Sequence, residues 1–359
     1  MTVIFVSQIV LIKLLAKHNG DIMASTQREG QDNREIIHHN DICVGCGICS
    51  DICPTSALNL GPILPIARGI VDMDYIRMDE HKCVVCGLCS FACPFNAMEF
   101  KINGNVAKNL NEYPKWDHGT NIDKEDCILC GKCEIYCPRD AILVKRELPK
   151  IKNLVSGEIK TDVDKCITCH ICEEMCPADA ITIKTTSNST MGRFEASNIE
   201  IDPEKCMYCK ICQKVCPEDA IKAICTTCMD SENIPEVEIT GDVVLDEISC
   251  INCSWCEKIC PSDAAHTIKP FKGEVLLQEN EEEEKVCTGE ACHACLDVCP
   301  CNAITLTDNH MTVNSDVCVL CGACEKACPQ KILSVDRNSM ELSNIKSKSW
   351  QNILGSLIE

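Results

Sequence analysis

Cys318-Val319-Leu320-Cys321-Gly322-Ala323-Cys324-Glu325-Lys326-Ala327-Cys328-Pro329 sets three cysteines at two-residue gaps, a fourth after three more residues, and a proline directly behind it. The same run occurs eight times, and this stretch is the eighth. The first is Cys43, Cys46, Cys49, Cys53 with Pro54; the second Cys83, Cys86, Cys89, Cys93 with Pro94. The third is Cys127, Cys130, Cys133, Cys137 with Pro138; the fourth Cys166, Cys169, Cys172, Cys176 with Pro177. The fifth is Cys206, Cys209, Cys212, Cys216 with Pro217; the sixth Cys250, Cys253, Cys256, Cys260 with Pro261. The seventh, Cys287, Cys292, Cys295, Cys299 with Pro300, has four residues between its first two cysteines, so its loop must bulge and Cys287 departs from the pattern.

The spacing carries a definite chemistry. A cubane of four irons needs four soft thiolates. Two-residue gaps let a tight loop wrap one cubane and present three sulfurs to three irons. The fourth cysteine points elsewhere, and in two-cluster ferredoxins it binds the neighbouring cluster. The proline has no N–H and a fixed φ, which suits the first turn of a short helix. Gly47, Gly87, Gly131 and Gly322, each behind a second cysteine, allow close backbone approach to the cluster. Zinc sites pair two separated C-x2-C knuckles and need neither the third cysteine at that interval nor the proline. A secreted disulfide scaffold is usually short and is not built of regular ligand quartets. All 32 quartet cysteines are therefore candidate iron ligands of eight [4Fe-4S] clusters, and no catalytic residue is assigned.

Short apolar segments flank the quartets: Ala97–Phe100, Ala141–Val144, Ala180–Ile183 and Ala303–Leu306 behind, Ile199–Asp202 and Val243–Asp246 in front. They read as short strands bounded by turn residues. The repeat is strand, cluster loop, short helix, strand, about forty residues long, an array architecture. One unit cannot surround a cluster; two units exchanging their fourth cysteines can. The fold class is α+β, a tandem array of four bacterial-type two-cluster ferredoxin domains.

The short gap from Cys299 to Cys318 pairs the seventh quartet with the eighth. Cys287, Cys292, Cys295 and Cys328 then share one cluster, and Cys318, Cys321, Cys324 and Cys299 the next. Counting back pairs first with second, third with fourth and fifth with sixth, giving domains at 41–105, 122–190, 199–270 and 285–336. The other gaps are longer and similar, so a nested pairing stays open. The linkers, at Asn103–Asn121 and Thr185–Asn198, are polar.

Composition agrees. Aromatics make up 4% of 359 residues, too few large side chains for a conventional core, so clusters must supply internal contacts and metal binding is coupled to folding. The formal charge is -20, and each oxidised cluster with its thiolates adds about -2. Such a chain avoids nucleic acid and favours basic protein partners. Thirty-five cysteines kept for metal imply a reducing, anaerobic cytoplasm.

Several features lie outside the quartets. Residues 1–40 form an N-terminal tail whose apolar run, 2–17, is interrupted by Lys13, is too short to span a bilayer comfortably and lacks signal-peptide features. The run is either a docking helix or, if the natural start is Met23, no part of the natural protein, and the polar stretch behind Met23 reads as an ordinary tail. Glu281–Glu284 read as a solvated loop. Cys225 and Cys228 form a knuckle-like turn or a reducible thiol pair. Cys301 packs as a small apolar residue against its cluster. His170 and His293 are loop residues, since each site already has four thiolates, and Trp255 is local packing. In the tail 337–359, Trp350, Ile353, Leu354, Leu357 and Ile358 form one face of an amphipathic helix that either folds back on this chain or docks on a partner.

From Asp41 to about Val335 the chain resembles the methanogen polyferredoxins, strings of two-cluster domains made from such Cys-Pro quartets. Its length and its eight quartets are most similar to the polyferredoxin subunits of tungsten or molybdenum formylmethanofuran dehydrogenases; polyferredoxins of hydrogenases are the nearest alternative. The resemblance implies a relay of low-potential electrons, for reduction of carbon dioxide to formylmethanofuran in methanogenesis. It implies partners among formylmethanofuran dehydrogenase subunits, hydrogenase or heterodisulfide reductase, which carry the substrate sites. A cluster-stabilised scaffold joining redox enzymes is the competing class.

Overall fold

The computed structural model describes residues 24–148, 157–187, 194–225, 239–280, 285–307 and 310–358. The apolar run 2–17, Glu281–Glu284 and Cys228 lie outside the described residues. Two compact units emerge, one of residues 1–120, 246–254 and 267–359, the other of residues 121–245 and 255–266.

Every quartet is built alike. The residue behind the second cysteine takes the left-handed conformation, with φ of 78° at Gly47 and 83° at Gly87. A one-turn helix follows and carries the third cysteine: Ile48–Asp51, Leu88–Ala92, Lys132–Ile135, Ile171–Glu174, Ile211–Lys214, Trp255–Ile259, Ala294–Asp297 and Ala323–Ala327. The chain can leave the ligand loop in this direction only through positive φ, which glycine adopts without penalty. At Gly87 a Cβ would also stand 2.6 Å from the Phe100 ring. The same backbone is held by His170 at 59°, Lys210 at 65° and His293 at 57°.

The helix thus precedes the fourth cysteine, and the proline does not open it as the sequence suggests. Cys53 O accepts from Ser56 N–H at 3.1 Å, Cys137 O from Asp140 N–H at 3.3 Å, and Cys328 O from Lys331 N–H at 3.2 Å. The proline occupies the second place of each turn, where its fixed φ fits.

The flanking strands pair in a fixed way: one antiparallel pair joins the segments between two quartets, another the segments outside them. In the first unit Leu58–Leu60 pairs with Ile76–Met78, and Arg34–His38 with Met98–Ile102. Ala24–Arg28 and Asn105–Val106 extend the second pair to a four-stranded sheet. The first and second quartets therefore form one domain. Ile304–Thr307 with His310–Val313, and Phe271–Leu277 with Leu333–Met340, join the seventh and eighth in the same way.

The second unit departs from sequential pairing. Ile181–Ser187 and Phe194–Ile201 form a hairpin between the fourth and fifth quartets, and Gly157–Thr161 pairs with Ile221–Cys225 outside them. The fourth therefore pairs with the fifth. Ile142–Glu147, behind the third quartet, pairs with Thr240–Leu245, in front of the sixth. Helices Lys132–Ile135 and Trp255–Ile259 pack together, and Asp123 N–H donates to Ala264 O at 2.7 Å. The third quartet's partner is thus the sixth, with the fourth–fifth domain inserted between them, so the expected domains 122–190 and 199–270 do not form. The deciding factor is which apolar strand edges meet, a non-local choice that gap length does not encode.

The few aromatic residues are concentrated in the first unit. Phe91 stacks on Tyr113 with ring centroids 5.0 Å apart, and Trp350 lies 5.1 Å from Phe91. The Trp116 indole N–H donates to Phe91 O at 2.9 Å, and its ring meets Phe271 edge-on at 5.5 Å. The C-terminal helix, Lys348–Gly355, buries Leu354 completely and folds back onto this chain.

Candidate metal centres

Four cavities show the exchange of cysteines directly. Cys43, Cys46 and Cys49 of the first quartet line one together with Cys93 of the second. Cys166, Cys169 and Cys172 line another with Cys216, and Cys206, Cys209 and Cys212 a third with Cys176. Cys287, Cys292, Cys295 and Cys328 line the fourth. Cys287, the irregular position, thus stands among the others; the extra residues before Cys292 coil into a 3-10 turn, Gly289–Ala291.

Electrostatics show the remaining neighbours. Burial pushes the Cys83 thiol up, with Cys86 and Cys53 adding like charge. Burial likewise raises Cys127 and Cys130, with Cys260 contributing to both. At Cys318 and Cys321 burial dominates and Cys299 adds to the rise. Burial and then crowding by fellow thiolates push Cys133, Cys172 and Cys212 up to about 12. Cys137 shares an apolar cluster with Cys256, Cys127, Cys133 and Cys260. Cys250 and Cys253 belong to the first unit, where Cys250 Sγ lies 3.7 Å from Thr120 Oγ1.

Four buried thiols cannot all ionise against one another without a positive centre, and metal binding supplies one while releasing their protons. Among the described residues no three His, Cys, Asp or Glu side chains converge as ligands of a single ion. The thiols instead rim a space, which fits a multi-iron group.

Backbone donors support the fourth cysteine. Ala57 N–H donates to Cys53 Sγ at 3.3 Å, Ala180 to Cys176 at 3.3 Å, Ala220 to Cys216 at 3.2 Å and Ala264 to Cys260 at 3.2 Å. Such bonds favour thiolate and tune a bound cluster. Of these alanines only Ala180 stood out in the sequence, as a strand start, although an alanine four places behind a Cys-Pro cysteine is a readable signal. Cys301, expected to pack against its cluster, is buried with its Sγ 3.8 Å from Cys299 Sγ. Its thiol, as donor, lowers the Cys299 thiol and is itself raised. The Arg337 guanidinium donates from Nε to Leu320 O at 2.8 Å and from Nη2 to Cys321 O at 2.9 Å, over the Phe271 ring. Lys108 Nζ donates to Cys93 O at 3.2 Å. Neither cation was singled out from sequence, because only folding brings it to a quartet.

His170 Nδ1 is hydrogen-bonded to Glu173 at 2.7 Å. Trp255 packs near Tyr136, ring centroids 6.4 Å apart.

Residues 42–97, 82–141, 165–220 and 286–332 match the 4Fe-4S dicluster domain, together more than half of the chain. The chain belongs to that family, an α+β string of domains that bind 4Fe-4S clusters. Another 4Fe-4S dicluster domain matches residues 119–177, and a 4Fe-4S binding domain matches 250–264. The match at 165–220 joins the fourth and fifth quartets as the strands do, whereas those at 82–141 and 119–177 join quartets that the strands keep apart.

The polyferredoxin protein FwdF of Methanocaldococcus jannaschii is 50% identical over 133 residues, 37% of this chain and 38% of that protein. The matched stretch thus covers well under half of that relative's length. Ferredoxin-1 of Caulobacter vibrioides is 29% identical over 65 residues, 16% of this chain and 58% of that protein. One solved neighbour is a chain of the formate dehydrogenase–heterodisulfide reductase–formylmethanofuran dehydrogenase complex of Methanospirillum hungatei. It superposes with a TM-score of 0.53 at 26% identity, over 94% of this chain and 91% of its own. Among the described residues no helix is long and apolar enough to cross a membrane.

Proposed function

We propose that this chain is an electron-transfer subunit holding eight [4Fe-4S] clusters, working within a formylmethanofuran dehydrogenase assembly. The single observation that carries the reading is the exchange of fourth cysteines, which gathers four thiols around one space.

The ligand sets follow from that exchange. Cys43, Cys46 and Cys49 take Cys93, while Cys83, Cys86 and Cys89 take Cys53. Cys127, Cys130 and Cys133 take Cys260; Cys166, Cys169 and Cys172 take Cys216; Cys206, Cys209 and Cys212 take Cys176. Cys287, Cys292 and Cys295 take Cys328, and Cys318, Cys321 and Cys324 take Cys299. By the regularity of the repeat, Cys250, Cys253, Cys256 and Cys137 remain as candidate iron ligands. Bound clusters supply one-electron exchange. The chain excludes water with the apolar residues of each cage and donates N–H groups to its sulfurs. It also places cations such as Arg337 beside the ligand loops. Substrate chemistry falls to partner subunits, as the relatives' names suggest.

Anaerobic purification of the tagged chain with whatever accompanies it, followed by metal analysis, tests this. About thirty-two irons per chain, four for each quartet, together with stoichiometric tungsten or molybdenum are expected. Nickel in their place moves the chain to a hydrogenase. Little iron after careful reconstitution ends the cluster reading.

A further inference from the structure

His38 ends the strand Arg34–His38, facing Met98 on one neighbouring strand and Ala24 on the other. Residues two apart on a strand share a face, so Ile36 and His38 project together, and each is 1% exposed. Both His38 ring nitrogens lie buried and have no hydrogen-bond partner among the described residues. The residue lines the cavity bounded by Cys43, Cys46, Cys49 and Cys93.

The other domains show what this position ordinarily holds. In the last domain the corresponding cross-strand pair is Leu277 with Leu333, and in the inserted domain it is Thr161 with Ile221. Leu277 lines the seventh-quartet cavity as His38 lines the first. A purely packing role is thus met elsewhere by leucine. A neutral imidazole keeps one N–H, and a buried donor left without an acceptor costs about 1–3 kcal/mol. The cavity that His38 lines offers an acceptor once thiolates and sulfides occupy it.

We propose that the His38 N–H is a hydrogen-bond donor to the four-iron cluster held by Cys43, Cys46, Cys49 and Cys93, and that it raises the reduction potential of this cluster. The inference rests on the cluster reading above. A donor to sulfur stabilises the more negative, reduced state more than the oxidised one, so its removal makes reduction harder. His38 is therefore a positioning and tuning residue, not a ligand.

The test compares wild type with His38→Leu in the full chain, purified with its partners. The substitution installs the side chain that Leu277 provides at the matching position. An EPR-monitored redox titration is expected to move one cluster equivalent to lower potential. At that cluster's wild-type midpoint the oxidised-to-reduced ratio rises about tenfold, equivalent to 59 mV for one electron. With 15N-labelled histidine, a nitrogen coupling to a reduced cluster is present in wild type and absent in H38L. Full iron with unchanged potentials and couplings in H38L overturns the proposal. If H38L loses iron, His38→Gln, which keeps an N–H, decides: wild-type iron and potential support the donor, and the same loss overturns it. Iron missing from wild type itself would refute the cluster reading instead.

Discussion

Gly87→Ala probes the geometry of the ligand loop most sharply, because the molecule contains its own control. Gly87 sits at φ +83°, and an added Cβ would meet Phe100 Cδ1 at 2.6 Å. Phe100 is 2% exposed and has no room to retreat. Gly104 has nearly the same φ, +81°, but nothing within 4 Å of its would-be Cβ. Left-handed backbone costs alanine about 1–2 kcal/mol at either site. Overpacking at Gly87 adds about 1–3 kcal/mol, so G87A should cost about 2–5 kcal/mol against about 1–2 for G104A. The assay is urea titration followed by the visible absorbance of the clusters, without oxygen. For a small domain, with a slope of about 1 kcal/mol per molar urea, G87A should bleach the first domain's share of the signal at least about 1 M earlier than G104A does. Equal midpoints for the two variants would refute the argument that Phe100 makes glycine necessary. His170, Lys210 and His293 already tolerate the same backbone, so φ by itself cannot account for a large difference.

Three further outcomes follow from the structure. The nested pairing places Cys169 and Cys216 at one site, so C169S/C216S should lose about four irons, no more than either single variant; sequential pairing would put them at two sites and cost about eight. Trp350→Ala removes a half-buried ring lying against Phe91 and Tyr113, and should cost about 2–3 kcal/mol, toward the low end for large aromatic truncations, read as a lower urea midpoint for the first domain. His118 is pushed down from 6.5 to about 4, chiefly by burial. The unfolded chain therefore binds more protons as pH falls from 6.5 to 4. The His118 contribution, about 3 kcal/mol, is complete above pH 6.5 and is lost across that window. Urea midpoints measured from pH 7 to 5 should fall less steeply in a H118F variant than in wild type.

Much of the site was legible because iron–sulfur ligation is written in local spacing. Three cysteines at two-residue gaps are brought together by one turn of chain, whatever the rest of the molecule does. The left-handed residue behind the second cysteine shows as Gly47, Gly87, Gly131 and Gly322 in four repeats. The strands behind the Cys-Pro pairs stand where their apolar residues predict, as at Met98–Ile102 and Ile304–Thr307. The proline was misplaced because the same fixed φ suits a first helical turn and the second place of a β-turn. Only the hydrogen bond from Ser56 N–H to Cys53 O distinguishes them.

The amino-acid sequence by itself determined the chemistry: the ligand type, the quartets, the α+β repeat and the amphipathic C-terminal face. Tertiary structure alone decided which quartets have their flanking strands paired. Ile142–Glu147 finds Thr240–Leu245 across an entire inserted domain, because pairing depends on complementary strand edges rather than on the length of the intervening chain. It also decided that Trp350 covers Phe91 of its own chain, and that Arg337 reaches the carbonyls of Leu320 and Cys321. The buried ring of His38 belongs to the same class, since a histidine five residues before a cysteine shows neither its burial nor the cavity it faces until the sheet has closed over it.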